Sequence, residues 1–351
     1  MVTIRKNVAA MSGYVPGEQP RSGGWIKLNT NENVECSPAA LEAIHSIDPA
    51  ALRLYPDASS SALRNELARR FNAEPDQFVV GNGSDDILNL LIRVTCDPGD
   101  SVVYTVPSYS LYPVLSQIQG ARNVEVPLAD DFSLPVRKLC STRGAVLFIT
   151  NPNNPAGTWY PVEQIAEICE SGQNLVVLDE AYADFSGEGC SQLVGKYPNV
   201  CVARSLSKAY GLAGLRVGYM FASKELAANV MKVKDSYNVS SATQIAAVAA
   251  LGDEAWAAKS WADAARRRDR LSQRLSNELG LRVYPSRANF ILVDFGNHSA
   301  VSTLDYLRER GILVRHFSDN PMVSNALRIS IGSQAELDTL FDAIQAALKE
   351  S

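Results

Sequence analysis

Residues 204–218 read RSLSKAYGLAGLRVG and follow a short apolar run that is typical of a buried strand. Within this stretch, Lys208 can form an imine with an aldehyde, because burial lowers the pKa of a lysine amine and frees its nucleophilic form. Ser205, Ser207 and Arg216 could hold a phosphate group, since a guanidinium matches phosphate oxygens two at a time. The stretch therefore indicates either a cofactor site or a surface loop that carries a lysine and an arginine.

Two further polar stretches follow apolar runs, at points where strands of a sheet would end. In Gly81–Asp86, two glycines and Ser84 leave backbone N–H groups free at a helix start, which suits an anion, although the same residues also make an ordinary helix cap. In Asn151–Gly157, Asn154 could donate its amide to a phenolate oxygen, or the stretch could be a tight turn rich in Asn, Pro and Gly.

A third polar cluster follows the apolar run 175–178 and begins with Asp179. A buried aspartate is costly unless it meets a cation, which could be a protonated pyridine nitrogen or a structural arginine. Tyr182 could reach the other side of the same ring, and Tyr109 could stack on a flat heterocycle or belong to the core. Because ligands collect at the carboxyl ends of parallel strands, we expect these residues to share one site.

Unalternated apolar strands separated by helices run from about residue 63 to residue 222. This pattern predicts an α/β fold with a mostly parallel sheet that helices cover on both faces. After about residue 240 the sequence changes to Ala-, Arg- and Leu-rich helices and short strands, which indicates a smaller α+β domain. We therefore expect an N-terminal arm at 1–40, a large domain at 41–245 and a small domain at 246–351.

The composition narrows the possible partners. Lys and Arg number 33 against 38 Asp and Glu, and the net charge of −5 argues against non-specific nucleic-acid binding. We expect no membrane segment, because no apolar run reaches the ~18 residues of a span, and no signal peptide. The six cysteines are scattered without a CxxC pair, so we expect no metal site, free thiols and a cytoplasmic location.

Five ordered motifs in residues 81–219 resemble those of fold-type I aminotransferases, which use pyridoxal 5′-phosphate: GNGSDD, PSYSLY, NPNNPAG, LDEAY and SLSKAYGLAGLRVGY. Within that group the chain is most similar to the histidinol-phosphate aminotransferases. Their hallmarks are matched by YVPG at 14–17, LNTNEN at 28–33, YPD at 55–57 and LRISIG at 327–332. The resemblance implies a mostly parallel sheet of the seven-stranded type between helices, with a smaller α+β domain beside it.

The resemblance also implies a role for each candidate residue. Lys208 would bind the cofactor's aldehyde and later move a proton, Asp179 would keep the ring nitrogen protonated, and Tyr182 with Asn154 would bond to the ring's O3′. Tyr109 would stack on the ring. The cofactor's phosphate would be taken up by Gly83, Ser84, Ser205, Ser207 and Arg216, and Asp85 would be a further cofactor-binding residue. The substrate would meet Tyr14, Asn31 and Arg328.

The resemblance also implies a homodimer. Tyr55 would reach the cofactor phosphate of the neighbouring subunit, and the arm at 1–40 would pack with the small domain and the partner subunit. The implied reaction is transamination between histidinol phosphate and 2-oxoglutarate in histidine biosynthesis, by a ping-pong cycle in which an amino donor and a 2-oxo acid take turns.

The substrate stays open at this stage. NENVECSP at 31–38 stands where histidinol-phosphate enzymes usually show NENPxGPSP, which changes a loop near the expected mouth of the site. An aminotransferase for aromatic or other amino acids is one alternative. A decarboxylase of the threonine-phosphate type on the same fold is a second, and a non-catalytic regulator that keeps the fold is a third.

Overall fold

The computed structural model describes residues 2–20, 23–172 and 175–350. Its strands are β1 (Ile26–Lys27), β2 (Phe78–Gly81), β3 (Ser101–Val106), β4 (Arg122–Pro127), β5 (Val146–Thr150), β6 (Leu175–Asp179), β7 (Val200–Ser205), β8 (Gly218–Ala222), β9 (Arg282–Val283), β10 (Phe290–Asp294), β11 (Ile312–Leu313), β12 (Arg315–His316) and β13 (Ala326–Ser330).

The helices alternate with these strands up to residue 222 and dominate afterwards. They are α1 (Lys6–Ala10), α2 (Pro38–His45), α3 (Ser61–Phe71), α4 (Ser84–Thr95), α5 (Leu111–Gln119), α6 (Val136–Ser141), α7 (Val162–Glu170), α8 (Gln192–Lys196), α9 (Leu206–Ala209), α10 (Lys224–Val233), α11 (Ser241–Gly252), α12 (Glu254–Leu279), α13 (Ala300–Glu309) and α14 (Gln334–Glu350). Single 3₁₀ turns lie at Ala51–Arg53, Pro75–Gln77, Ala183–Phe185, Ala213–Leu215 and Pro321–Val323.

The large sheet has seven strands in the order β2-β8-β7-β6-β5-β3-β4. β8 runs antiparallel to its neighbours β2 and β7, and the other pairs are parallel. The carboxyl ends of β2, β3, β5, β6 and β7 consequently lie at one edge, where a ligand crevice forms in such sheets. The predicted fold class, a mostly parallel sheet of this type within an α/β chain, is confirmed.

The sheet is apolar on both faces, as its unalternated strands predict. In β5, Val146 and Phe148 pack into the helical layer on one side, and Leu147 and Ile149 pack into the layer on the other side. All four side chains are completely buried. Burying an aliphatic or aromatic side chain of this size contributes about 1.5–3 kcal/mol, so the central strands form a rigid base beneath the sheet edge.

A four-stranded antiparallel sheet, in the order β12-β13-β10-β9, forms the centre of the C-terminal part. Its inner face joins α12, α13 and α14 in a core of its own. The 26-residue α12 begins where the Asp253 side chain accepts a hydrogen bond from the Trp256 N–H, and it ends at Gly280, whose φ of +69° is readily adopted only by glycine.

Several elements depart from what the sequence predicts. Helix α1 lies within the N-terminal arm, where no helix was predicted, and it has no acidic residue in its first turn and no basic residue in its last turn. Strand β1 pairs in parallel with β11 through Ile26–Ile312 and Lys27–Leu313, residues that lie 286 positions apart in the chain. The domain boundaries after residues 40 and 245 stay a prediction.

Membrane-spanning helices and metal-binding clusters are both absent from the described ranges. None of their helices combines the length and the apolar character that crossing a membrane requires. No group of three or more His, Cys, Asp or Glu side chains within these same residues is arranged to hold a metal ion.

Candidate active site

A cavity of about 210 Å³ opens at the carboxyl edge of the large sheet and is closed on the far side by the arm and the C-terminal sheet. Most of the residues predicted for the site line it: Tyr14, Asn31, Ser84, Asp85, Tyr109, Asn154, Asp179, Tyr182, Ser205, Ser207, Lys208, Arg216 and Arg328. Gly83 directly precedes the lining residue Ser84 and forms the N-terminal boundary of α4. Tyr55 does not line this cavity.

Lys208 lies on the short helix α9, which starts directly after β7. Ser205 begins that turn, because its side chain accepts a hydrogen bond from the Ser207 N–H at 3.1 Å. The Lys208 amine donates a hydrogen bond to the main-chain oxygen of Thr30 at 2.6 Å. Burial lowers the pKa of Lys208 to about 8, and the nearby carboxylate of Glu32 opposes this change. The amine is therefore substantially neutral at mildly alkaline pH.

Asp179 ends β6 and is only 3% exposed. Its Oδ2 accepts a hydrogen bond from the Tyr112 hydroxyl at 2.7 Å, and its Oδ1 accepts one from the Ala181 N–H at 3.2 Å. Burial raises the pKa of Asp179 to about 6, while these two donors act in the opposite direction. The carboxylate is thus ionised at neutral pH and faces the cavity from the floor of the sheet.

The Tyr182 hydroxyl accepts a hydrogen bond from the side-chain amide of Asn31 at 3.0 Å. Asn31 is held in the left-handed region, with φ of +58°, by contacts with the C-terminal part of the chain. Its main-chain N–H donates to the Ser330 hydroxyl oxygen at 2.8 Å, and its carbonyl accepts from the Asn289 amide at 2.9 Å. Burial raises the pKa of Tyr182, so this hydroxyl keeps its proton at neutral pH.

The opposite end of the cavity combines a helix N-terminus with a guanidinium. Arg216 donates to the Ser207 hydroxyl at 3.3 Å and pairs with Asp85 through a 3.1 Å contact. Tyr109 donates its hydroxyl proton to the other oxygen of Asp85 at 3.0 Å. Gly83 sits at φ of +84° directly before the 12-residue helix α4 and lies close to Arg216, so the start of that helix and the guanidinium are at the same end of the cavity.

Arg328 projects from β13 into the third side of the cavity and is 6% exposed. It donates to the side-chain oxygen of Asn154 at 2.5 Å and to the main-chain oxygen of Asn29 at 2.8 Å. Its Nε is buried and has no hydrogen-bond partner among the described residues. Nη1 and Nη2 are therefore each fixed by one protein oxygen, and the Nε–H is left without an acceptor among the described residues.

The family model described as aminotransferase class I and II matches residues 23–344 of the chain. The chain belongs to this aminotransferase family. The predicted recognition of a fold-type I aminotransferase is confirmed, and with it the prediction that the protein is an enzyme.

Named relatives of this aminotransferase match over nearly their whole length. The histidinol-phosphate aminotransferase of Geotalea uraniireducens (strain Rf4) is 43% identical over 350 residues, which cover 98% of this chain and 99% of the relative. The histidinol-phosphate aminotransferase of Microcystis aeruginosa (strain NIES-843 / IAM M-2473) is 40% identical over 345 residues, which cover 98% of each chain.

A solved structure has a fold similar to that of this aminotransferase. The histidinol-phosphate aminotransferase of Sinorhizobium meliloti, solved in complex with pyridoxal-5′-phosphate, superposes with a TM-score of 0.90 at 27% identity. The match covers 100% of this chain and 98% of that one.

Tyr55 lies outside the cavity of its own chain. Its ring is 81% exposed and stacks on Tyr237, with ring centroids 4.5 Å apart and planes 18° from parallel. Leu52 and Leu54 beside it are 59% and 58% exposed. These three residues form an exposed apolar edge of the aminotransferase. The role predicted for Tyr55 in a partner subunit remains a proposal.

Several residues that line the aminotransferase cavity were not predicted from the sequence, among them Thr30, Thr150, Arg315 and Phe317. Tyr112, which donates to Asp179 from behind the lining, was not predicted either. Thr150 ends a buried strand, directly before the Asn-rich stretch, and that position was a usable signal. Arg315 begins β12, and its guanidinium lies 5.7 Å from the ring centroid of Phe317. The contacts of Thr30 and Tyr112 follow only from the tertiary packing.

Proposed function

We propose that this aminotransferase binds pyridoxal 5′-phosphate in the cavity and transfers an amino group between histidinol phosphate and 2-oxoglutarate, as a step of histidine biosynthesis. The observation that carries the proposal is the presence of a lysine amine of lowered pKa, a buried carboxylate and an anion cradle on one cavity. The amino substrate is assigned from the named relatives, which match the chain over 98% of its length.

The donor set of the cavity fits this cofactor. Arg216, the hydroxyls of Ser205 and Ser207 and the start of α4 suit a phosphate group. Close backbone approach at this end depends on glycine, because a Cβ on Gly218 would lie 2.4 Å from the main-chain nitrogen of Ser84. The carboxylate of Asp179 suits a protonated pyridine nitrogen, and Tyr109 offers an aromatic face nearby.

The chemistry divides between the cofactor and the protein. When bound, pyridoxal phosphate supplies an aldehyde that condenses with amines and a ring that takes up the electron pair released when a Cα–H bond breaks. Lys208 supplies the amine that holds the cofactor and can take or return a proton at Nζ, since its pKa is about 8. Asp179 supplies a fixed negative charge, because its pKa of about 6 leaves it ionised at neutral pH.

The remaining residues orient the substrate and the ring. Arg328 offers its guanidinium to an acidic group of the substrate, while Asn154 and Asn29 fix the plane of that guanidinium. Tyr182 and Asn154 are assigned to the ring's phenolic oxygen. Asn31, Tyr14 and Arg315 line the same side as Arg328 and are assigned to the substrate.

We assign the functional unit to a homodimer in which Tyr55 reaches the partner's cavity. The support is the exposed edge of Leu52, Leu54 and Tyr55, since large apolar side chains this accessible mark a protein contact. The arm at 1–40 would complete the same interface.

A half-reaction tests the assignment. Glutamate alone, added to the protein loaded with pyridoxal phosphate, is expected to yield about one equivalent of 2-oxoglutarate per subunit, as the ping-pong cycle requires. A panel of amino donors then ranks histidinol phosphate against aromatic amino acids. Release of CO₂ without 2-oxo acid would instead assign the chain to the decarboxylases, and absence of both would leave a non-catalytic protein.

A further inference from the structure

Tyr112 is a completely buried residue of α5 to which the proposed reaction gives no role. Its hydroxyl donates to Oδ2 of Asp179 at 2.7 Å and lies 2.6 Å from Oγ1 of Thr150. Thr150 Oγ1 in turn lies 3.0 Å from Oγ of Ser108. Ser108 is half-buried and lines the cavity, so a row of three hydroxyl groups connects the cavity to the carboxylate beneath it.

The direction of these hydrogen bonds follows from the acid–base state of Asp179. An ionised carboxylate only accepts, and a tyrosine hydroxyl has one proton to give. The proton of Tyr112 therefore points to Asp179, the hydroxyl of Thr150 donates to Tyr112, and Ser108 donates to Thr150. Hydrogen bonds in such a row polarise one another, so each donor strengthens the one next to the carboxylate.

We propose that Tyr112 is a positioning residue that acts through Asp179: the row Ser108–Thr150–Tyr112 keeps this carboxylate ionised and fixed toward the cavity. The consequence for the reaction rests on the proposed function, in which Asp179 faces the cofactor ring. The effect on the carboxylate itself does not require the cofactor.

Of the groups around Asp179, Tyr112 contributes most to keeping this carboxylate ionised. Among the described residues, the remaining hydrogen bond to this carboxylate comes from the Ala181 N–H, at the longer distance of 3.2 Å. Asp85 on α4 and the adjacent Glu180 both oppose ionisation of Asp179 by their negative charge. Tyr182 is close as well, but it stays neutral because burial raises its pKa. Without the Tyr112 hydroxyl, burial and the two negative charges disfavour the ionised carboxylate of Asp179, and among the described residues one backbone N–H favours it.

Tyr112→Phe tests the proposal without disturbing the packing. The ring stacks on Phe148, with centroids 4.7 Å apart and planes 10° from parallel, and phenylalanine preserves that contact. Infrared difference titration of the full cofactor-free chain, with Asp179→Asn to assign the carboxyl band, measures the pKa of Asp179. We expect it to rise by about one unit or more in Tyr112→Phe, since a hydrogen bond to a charged group is lost.

Two further variants make the result specific. Thr150→Val removes the donor to Tyr112 and is expected to give a smaller rise of the same sign. Tyr104→Phe is the matched control, because Tyr104 is a buried tyrosine of the same cluster whose hydroxyl bonds to Glu125 at 3.1 Å rather than to Asp179. It is expected to leave the titration of Asp179 unchanged.

The affinity for pyridoxal phosphate provides a second readout. The loss of affinity in Tyr112→Phe is expected to be larger at about pH 6.5 than at about pH 8.5, because protonated Asp179 carries no charge. A titration of Asp179 identical to that of the wild type in Tyr112→Phe, or in Thr150→Val if the first variant does not fold, overturns the proposal. If the wild type takes up no cofactor, the proposed function fails, while the infrared titration still decides the role of Tyr112.

Discussion

A methyl group on Gly83 would lie 2.3 Å from Nη2 of Arg216, so this guanidinium reaches its place only while residue 83 has no side chain. The two residues belong to different strand ends, β2 and the loop before β8, that meet at the anion end of the cavity. The glycine thus does two things there: it adopts φ of +84°, and it leaves space for the arginine.

Gly83→Ala should accordingly weaken the binding of pyridoxal phosphate by about tenfold or more, because Arg216 has to move away from Ser207. The measurement is a fluorescence titration with the cofactor. Gly99→Ala is the matched control: Gly99 has φ of +93°, but an added Cβ would meet no described atom within 4 Å. Both variants should lose about 1–3 kcal/mol of stability, because each places a Cβ at a positive φ, and only the first should lose affinity. Equal affinities of the two variants for pyridoxal phosphate would contradict the proposed phosphate site at Gly83 and Arg216.

The pH dependence of covalent capture follows from the lowered pKa of Lys208. Only the neutral amine attacks an aldehyde, so capture of pyridoxal phosphate should rise with pH through about 8 and then level off. An ordinary lysine, with a pKa near ~10.4, would keep gaining reactivity above that pH. Borohydride reduction followed by peptide mass spectrometry measures the capture. Lys208→Ala should abolish it and Lys234→Ala should not; a label on any other lysine would identify Lys208 as the wrong residue.

Asp179→Asn should lower kcat by about 10²–10³-fold, the range for removal of one preorganised electrostatic group. Stability should stay equal or increase, because burial disfavours the carboxylate, as its raised pKa indicates. Asp184→Asn provides the contrast, since Asp184 is a half-buried carboxylate that pairs with Arg204 at 3.4 Å and does not line the cavity. It should lose stability and retain kcat. Steady-state kinetics and thermal unfolding of both proteins decide between the two kinds of carboxylate.

Arg328→Lys should raise KM for the amino substrate by about 10–100-fold, because lysine lacks the planar fork that Asn154 and Asn29 fix. The proposed substrate interaction predicts a smaller effect on kcat than on KM. Arg287→Lys, which changes an exposed pair with Glu188, serves as the control and should leave both constants as they are. An unchanged KM in Arg328→Lys would place substrate recognition elsewhere in the cavity.

Mixing two inactive proteins tests the shared site. If Tyr55 acts in the partner's cavity, a heterodimer of Tyr55→Ala with Lys208→Ala subunits has one doubly altered site and one intact site. Random reassociation of equal amounts should restore about a quarter of the wild-type activity, since half of the dimers are mixed and each has one good site. Mixed samples that stay at the level of the Tyr55→Ala protein alone would refute the exchange.

Much of the fold could be predicted from the sequence because its signals are local. The apolar strands β3, β5, β6 and β7 and the polar residues that end them are adjacent in the chain. The known behaviour of parallel sheets then brings Asp179, Lys208 and Ser84 to one edge. Most of the predicted site residues could therefore be identified from the sequence alone.

The missed residues are those whose contacts depend on packing between distant segments. Tyr112 and Asp179 are 67 residues apart, and no spacing rule links a tyrosine on α5 to the end of β6. Helix α1 was missed for another reason: five residues form too short a helix to be stable alone, so its existence depends on the Asn7 side chain, which donates to the Gln117 carbonyl at 2.7 Å.

Strand β1 and the residues after it have a consequence for recombination within the family. β1 is paired with β11, and Asn31 is hydrogen-bonded to Ser330 of β13, yet Thr30 and Asn31 contact Lys208 and Tyr182, which follow strands of the large sheet. A crossover anywhere between them would separate Asn31 from Ser330, 299 positions further on. A functional chimera with a distant relative must therefore take both of these segments from the same parent, although they lie far apart in the gene.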